Sequence, residues 1–163
     1  MLAPRLPTLK QRKMKVLIVG CGRVGSTLAR DLDAAGHEVT IIDERVSAFK
    51  RLGDNFKGDA IVGTGIDESV LRRAGIEHAD CFASVTNGDN RNIMAAQIAK
   101  VVFKVPRVMT RIYDPIREQV YREMGLETVC STTILSNLVL GYFLDGVNRA
   151  HAEPAGTAPA ASS

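Results

Sequence analysis

No apolar run in this chain is long enough to cross a bilayer, which excludes a helical membrane protein. Cysteine is scarce. Cys21, Cys81 and Cys130 are odd in number, form no CxxC pair and cluster with none of the scattered His37, His78 and His151. A metal site is therefore not expected, and the three thiols read as the reduced, structural cysteines of a cytosolic protein. The first fourteen residues, MLAPRLPTLKQRKM, lack the continuous apolar segment of a secretory signal. Net charge is nearly absent from the body of the chain. Arg5, Lys10, Arg12, Lys13 and Lys15 crowd into the first fifteen positions without an acid, whereas from there to residue 149 only 16 basic residues face 17 acidic ones. A polyanion-binding surface, and with it nucleic acid as a partner, is not expected. Length is the last limit, because 163 residues leave no room for a separate catalytic domain beside a complete nucleotide-binding fold.

What is present is a globular composition, 45% hydrophobic and 24% charged, organised as an alternation. Short β-branched runs at 15–19, 39–43, 60–62, 81–85, 107–111 and 127–130 are separated by stretches of helical period starting near Arg23, Arg45, Asp67, Asn90, Asp114 and Thr132. This pattern predicts an α/β fold: a doubly wound, parallel, six-stranded sheet of Rossmann type, order 3-2-1-4-5-6, with helices on both faces. The first helix is expected to pack through Val24, Leu28, Leu32 and Ala35, and the fourth through Met94, Ile98 and Val101. Asp114-Pro115 has the form of a helix start, a capping side chain before a proline at the first helical position. Residues 1–13 read as a disordered basic arm, 14–146 as the folded domain and 147–163 as a disordered tail rich in Ala, Pro and Ser. Met14 stands where strand-like sequence begins, so it is either the true start or the end of that arm.

The first strand runs into Gly20-Cys21-Gly22-Arg23-Val24-Gly25 and then into a helix. In that context Gly20 serves a tight turn, Gly22 lets backbone N–H groups approach a pyrophosphate, and Gly25 lets helix and strand pack closely. Asp43 closes the second strand 23 residues after the first glycine, with Glu44 beside it. An acid there accepts the ribose hydroxyls of an adenosine and repels a 2′-phosphate. The expected ligand is an adenine nucleotide, ATP/ADP or NAD/NADH, and not NADP. With this strand order the crevice lies between strands 1 and 4. Thr86 and Asn87 after strand 4 are therefore expected to contact the ligand, and Asp89 and Asn90 to cap the next helix. Gly63-Thr64-Gly65 after strand 3 is either an adenine-edge contact or a simple turn. Arg23, a cation at a helix N-terminus, is unfavourable with respect to the dipole unless an anion is bound; the alternative is a surface arginine lying over the helix. Arg111 is a second candidate for phosphate or for a neighbouring subunit, with pairing to Asp114 as the alternative.

A catalyst would need an acid/base group held against the ligand. His37 and His78 fall before strands, at the sheet edge opposite the expected ligand, so the chain reads as a binder rather than an enzyme. The runner-up reading is a small NAD-dependent oxidoreductase or a fragment of one. Helix 131–144 carries Ile134, Leu135, Leu138, Val139, Leu140, Tyr142, Phe143 and Leu144 almost all round. That is more apolar surface than one sheet face covers, and it predicts self-association through this helix.

Over residues 14–146 the chain resembles the N-terminal RCK (KTN, or TrkA-N) domain of the Trk/Ktr potassium-uptake regulatory proteins. The resemblance lies in KVLIVGCGRVGSTLARDLDAAGHEVTIIDE, IVGTGIDESVLRRAGIEHADCFASVTNGDNRNIMAAQIAK and TRIYDPIREQVYREMG. It implies a cytosolic regulator that binds nucleotide, dimerises into a ring, and gates a potassium-translocating membrane subunit from the inner face of the membrane. Gly20, Gly22, Arg23, Gly25, Asp43, Thr64, Thr86 and Asn87 match ligand-lining positions of the family, although many members carry aspartate where Thr64 stands. The C-terminal lobe common in these regulators is not in this sequence. The expectation is either a short single-lobe member, working beside a second two-lobe RCK subunit, or part of a longer protein.

Overall fold

Each expected strand is found within a residue or so of its expected bounds: β1 Lys15–Val19, β2 Glu38–Asp43, β3 Asp59–Val62, β4 Cys81–Ser84, β5 Arg107–Arg111 and β6 Glu127–Val129. The computed structural model describes residues 12–150, with side chains through 144. The readings of a disordered arm and tail fall, for residues 1–11 and 151–163, outside the described residues. All pairings are parallel and the order is β3-β2-β1-β4-β5-β6, as expected. Alternate residues of β1 supply two cores. Leu17 and Val19 join Ile42, Phe82 and Val108 beneath α2 (Glu68–Arg73), α3 (Asp89–Gln97) and Tyr121 of α4 (Pro115–Glu123). Val16 and Ile18 join Val39 and Ile41 beneath α1 (Arg23–Ala34) and the 3-10 helix Val46–Leu52. Helices thus cover both faces, and each fully buried Leu, Ile or Phe contributes about 1.5–3 kcal/mol relative to exposure.

Three local expectations need correction. The segment near Arg45 forms a 3-10 helix rather than an α-helix, and Gly53 at φ +72° ends it. In α1 the buried positions are Gly25, Ser26 and Ala29, with Leu28 and Leu32 packed at the edge, while Val24 and Ala35 are exposed. In α3 the buried positions are Asn92, Ile93, Ala95 and Ala96; Met94 is exposed, as is Val101 in the π-helical turn Ile98–Val102 that continues it. Small residues explain both shifts. A helix approaching a sheet closely turns its smallest side chains inward, whereas periodicity ranks residues by hydropathy alone.

The chain divides into two compact units, one ending at Cys130 and one starting at Ser131. The second contains α5 (Ser131–Ala150), described by itself. Its apolar side chains lie on all sides, and Leu138 and Tyr142 are 68% and 77% exposed. No helix among the described residues is long and apolar enough to cross a membrane.

The glycine loop gives this fold its most restrictive contact. A Cβ on Gly25 would lie 1.8 Å from the Gly20 carbonyl oxygen, whereas one on Gly22 would meet nothing within 4 Å. Gly25→Ala is expected to lower stability by at least about 3 kcal/mol, and Gly22→Ala, at φ −79°, to leave it within about 0.5 kcal/mol. Urea unfolding of the two variants checks this, and equal losses would refute the assignment of the tight contact to Gly25.

Candidate functional site

The C-terminal ends of β1 to β5 open into a cleft of about 560 Å³. Its lining brings together Gly20, Gly22, Arg23, Val24, Asp43, Glu44, Gly63, Thr64, Thr86, Asn87 and Arg111. Of the candidate residues, Gly25 and Cys21 stand behind this wall. Gly25 is the helix-to-loop contact already described. Cys21 is buried, with its thiol donating to the Ala48 carbonyl at 3.4 Å. Burial, and then the Asp43 carboxylate, push that thiol above its ordinary range, so it is a poor nucleophile at neutral pH.

Gly20 makes the turn out of β1 at φ +105°, a conformation that favours glycine. A Cβ there would also meet the Thr86 backbone nitrogen at 2.9 Å, so the first loop touches the loop after β4 directly. Gly22 is the N-cap of α1. No side chain caps this helix and no acid stands in its first turn. Its N-terminal amides and the positive end of its dipole therefore face the cleft uncompensated, suited to an anion. Arg23 lines the same end, and its side chain makes no hydrogen bond or ion pair among the described residues.

Asp43 does more than stand at a strand end. One oxygen accepts the Cys21 N–H at 2.8 Å, and the other accepts the Arg45 N–H at 2.9 Å. The carboxylate thus ties the glycine loop to β2, and each oxygen keeps capacity for a further donor such as a ribose hydroxyl. Thr64 lies in the lining. The glycines flanking it would, with a Cβ, press into Val70 and Val19, so close packing shapes this turn.

The other wall rests on a residue that pattern reading missed. Asn92, fully buried in α3, accepts the Thr86 N–H at 2.9 Å and the Thr86 hydroxyl at 2.7 Å. Its amide nitrogen donates to the carbonyls of Thr86 at 3.0 Å and Arg111 at 2.9 Å. Beneath it the Ser84 hydroxyl bonds the Asn92 carbonyl and the Thr110 hydroxyl, both at 2.8 Å. The only sequence signal was a polar residue on the otherwise apolar inward face of this helix. Arg111 does not pair with Asp114. It donates to the carbonyls of Val85 and Thr86 at 2.9 and 2.6 Å and stacks over Tyr113, 4.5 Å from the ring centroid. Asp114 instead caps α4, as the Asp-Pro pair predicts.

Asp89 and Asn90 do not cap α3, whose N-cap is Gly88 without a side-chain bond. Asp89 accepts the backbone N–H groups of Tyr113 and Asp114 at 2.8 and 3.3 Å, and Asn90 accepts from Arg117. These carboxylate and amide groups find stronger use tying the next loop to the helix. Arg91, also missed, reaches from α3 to Glu44 and Asn87, both at 3.1 Å. His37 and His78 line a separate cleft at the opposite ends of the strands. There the His37 Nδ1 accepts the Met14 N–H at 3.2 Å.

A family model for the TrkA-N domain matches residues 16–132. The chain is 46% identical over 131 residues to a Trk system potassium uptake protein TrkA of Streptomyces coelicolor, covering 80% of this chain and 59% of that protein. It is 36% identical over 113 residues to a TrkA homolog of Pyrococcus abyssi, covering 68% and 49%. The chain therefore spans about half the length of these relatives. Among solved structures, the TrkA-N domain of the inner membrane protein ybaL of Escherichia coli superposes with TM-score 0.70 at 19% identity, over 81% of this chain and 98% of that one. The AMP-bound Kef C-terminal domain of Shewanella denitrificans gives 0.69 at 19%, over 85% and 83%. The NAD-bound GsuK channel gives 0.60 at 18%, over 76% and 22%. At such identities these structures establish the fold.

Asn92→Ala removes a partner from three part-buried backbone groups, of which the Thr86 carbonyl keeps Arg111, and is expected to cost about 2–3 kcal/mol. Asn92→Asp sets a carboxylate against two carbonyls and is expected to cost at least as much. Urea titrations measure both, and a loss below 1 kcal/mol for either would show that the network does not hold this wall.

Proposed function

The chain belongs to the TrkA-N domain family, and from that premise we propose that it is a nucleotide-sensing regulatory subunit of potassium uptake. On this reading it binds an adenine nucleotide in the cleft above β1 and β4 and passes the binding state to a potassium-translocating membrane subunit. Residues 14–146 would be the nucleotide-binding domain, acting in the cytoplasm at the inner face of the membrane through that partner. The observation that carries the reading is one cleft holding an uncapped glycine-loop helix, Asp43 at the far rim and Arg23 at the helix end. The donor set fits the ligand. The α1 amides and Arg23 would take phosphate oxygens, Asp43 would accept ribose hydroxyls, and the open space in front of Gly22 leaves room for the phosphates to approach the backbone.

Support for the family-level role comes from relatives named for potassium uptake, and for the ligand class from structural neighbours described as bound to AMP, NAD and ADP. An oxidoreductase is the weaker alternative, because both histidines among the described residues line the opposite cleft. The exposed apolar surface of α5 supports assembly of the subunit with itself as a dimer or higher ring, with a longer RCK subunit as a further partner.

The finer reading concerns phosphate number. Asp43 accepts the ribose of ATP, ADP and NAD(H) alike, so it does not rank them, whereas a guanidinium gains most from the oxygens of a terminal phosphate. Arg23 would then separate ATP from ADP, directly or across a subunit boundary.

Calorimetric titration of ATP, ADP, NAD and NADH tests these roles. Asp43→Ala is expected to weaken every adenine nucleotide by about 1.5–3 kcal/mol, Gly22→Ala to weaken all of them without loss of stability, and Arg23→Gln to weaken ATP selectively. No turnover is expected in a cofactor-reduction screen over alcohols, sugars and hydroxy acids. Equal loss of ATP and ADP in Arg23→Gln would remove its sensing role, and turnover by this chain would sink the regulator reading. Light scattering is expected to show at least a dimer that Leu138→Glu with Phe143→Glu dissociates; an unaltered mass in that variant would place the interface elsewhere.

A further inference from the structure

Both terminal nitrogens of the Arg91 guanidinium are engaged at the rim of the cleft. Nη1 meets Glu44 Oε2 on the loop after β2, and Nη2 meets Asn87 Oδ1 on the loop after β4, each at 3.1 Å. All three side chains line the cleft. Glu44 adjoins Asp43, so the bridge ends at the place where the ribose of an adenosine would be read. A second cation stands there too, Arg45, with its Nε 3.7 Å from Asp43.

A 2′-phosphate on the ribose would arrive at these residues. It needs cations, and two are present, but the better-held one is already committed to an acid. Asn87 holds the other terminal nitrogen of Arg91 by a bond that does not involve Glu44. Removing the acid would therefore free a charged donor that is already oriented toward β2, with little further ordering cost.

Resting on the reading of the cleft as an adenine-nucleotide site, we propose that the Glu44–Arg91 pair is its ribose-end specificity determinant: Glu44 masks a 2′-phosphate site that Arg91 would otherwise form. Selectivity here has two parts, the acid charge of Glu44 that repels a phosphate and the occupation of the cation that would attract one. Asp43 contributes repulsion but does not mask Arg91, because its oxygens bond the Cys21 and Arg45 N–H groups and the cation it faces is Arg45.

The test is a double-mutant cycle on the whole chain, titrating NADH and NADPH into wild type, Glu44→Gln, Arg91→Gln and the double variant. Glu44 and Arg91 are 54% and 46% exposed, so these substitutions leave the core intact, and thermal melting of each variant confirms it. Wild type is expected to prefer NADH. Glu44→Gln should tighten NADPH relative to NADH about tenfold or more, as one charge-assisted bond allows. Arg91→Gln should not tighten NADPH, and the double variant should lose the gain. An unchanged NADPH-to-NADH ratio in Glu44→Gln overturns the proposal while leaving the nucleotide site standing. A gain that survives in the double variant overturns it also, assigning the effect to repulsion alone or to Arg45. Absence of binding by wild type to both NADH and ADP overturns the nucleotide site itself, and the proposal with it.

Discussion

The approach of α1 to the end of β1 is the constraint on which the rest of this molecule depends. The Gly20 carbonyl oxygen occupies the place where a side chain on Gly25 would begin, so the first turn of the helix rests on the backbone of the loop itself. That contact fixes the direction of α1 and, with it, the direction of the unpaid N–H groups at its start. The same loop is pinned from a second side by Asp43 through the Cys21 amide, and from a third by the Gly20 N–H, which donates to the Ile42 carbonyl at 2.8 Å. Asp43 therefore shapes the glycine loop even before any ligand arrives. A substitution there acts on loop geometry as well as on a ribose contact, and only comparison with the stability-neutral Gly22 position separates the two.

Opposite that loop the wall is built from polar groups inside the fold. Ser84, Thr110 and Asn92 are all fully buried, and their hydrogen bonds run from strand to strand and up into Thr86 and the Arg111 carbonyl. A buried amide in an apolar layer is costly unless every group is paired, and pairing specifies one geometry where apolar packing would accept several. The result is a rigid β4 loop held against Gly20. Arg111 adds a clamp, its Nη2 shared between two carbonyls of that loop.

The alternation of elements, the strand order and the convergence of Gly20, Asp43, Thr86 and Asn87 on one cleft were legible in the sequence. They follow from β-branched runs, from the connectivity rules of parallel sheets and from a glycine spacing with a narrow mechanical meaning. Asn92, Arg91 and the clamp of Arg111 were not. Their roles depend on where a long or polar side chain points once β4 and β5 are in register, and no local pattern encodes that. The packing faces of α1 and α3 failed for a related reason. Val24 and Met94 outrank Gly25 and Ala96 in hydropathy, yet the sheet admits only the smaller pair at close range. Asp89 shows the same limit, for a side chain one residue past a helix start was assigned to the cap when two backbone donors of the next loop lay within reach.

On the proposed reading, a nucleotide acts on a partner only through contacts that differ between states, and the cleft is lined by four arginines. Arg45 lies beside Asp43, Arg91 spans Glu44 and Asn87, and Arg111 holds two main-chain carbonyls. Each of these cations already has a partner in the wall of the cleft. Arg23 alone among them has no such commitment within the described residues, and it stands on the helix whose position the glycine loop fixes. A phosphate engaging Arg23 gains a bond without breaking one, whereas a phosphate reaching Arg91 meets a guanidinium whose two terminal nitrogens are already engaged. On the proposed reading, ligands that differ by one phosphate would differ in which of these cations they engage. That asymmetry is what a sensor of nucleotide state requires, and it resides in how the arginines are already partnered rather than in how many there are.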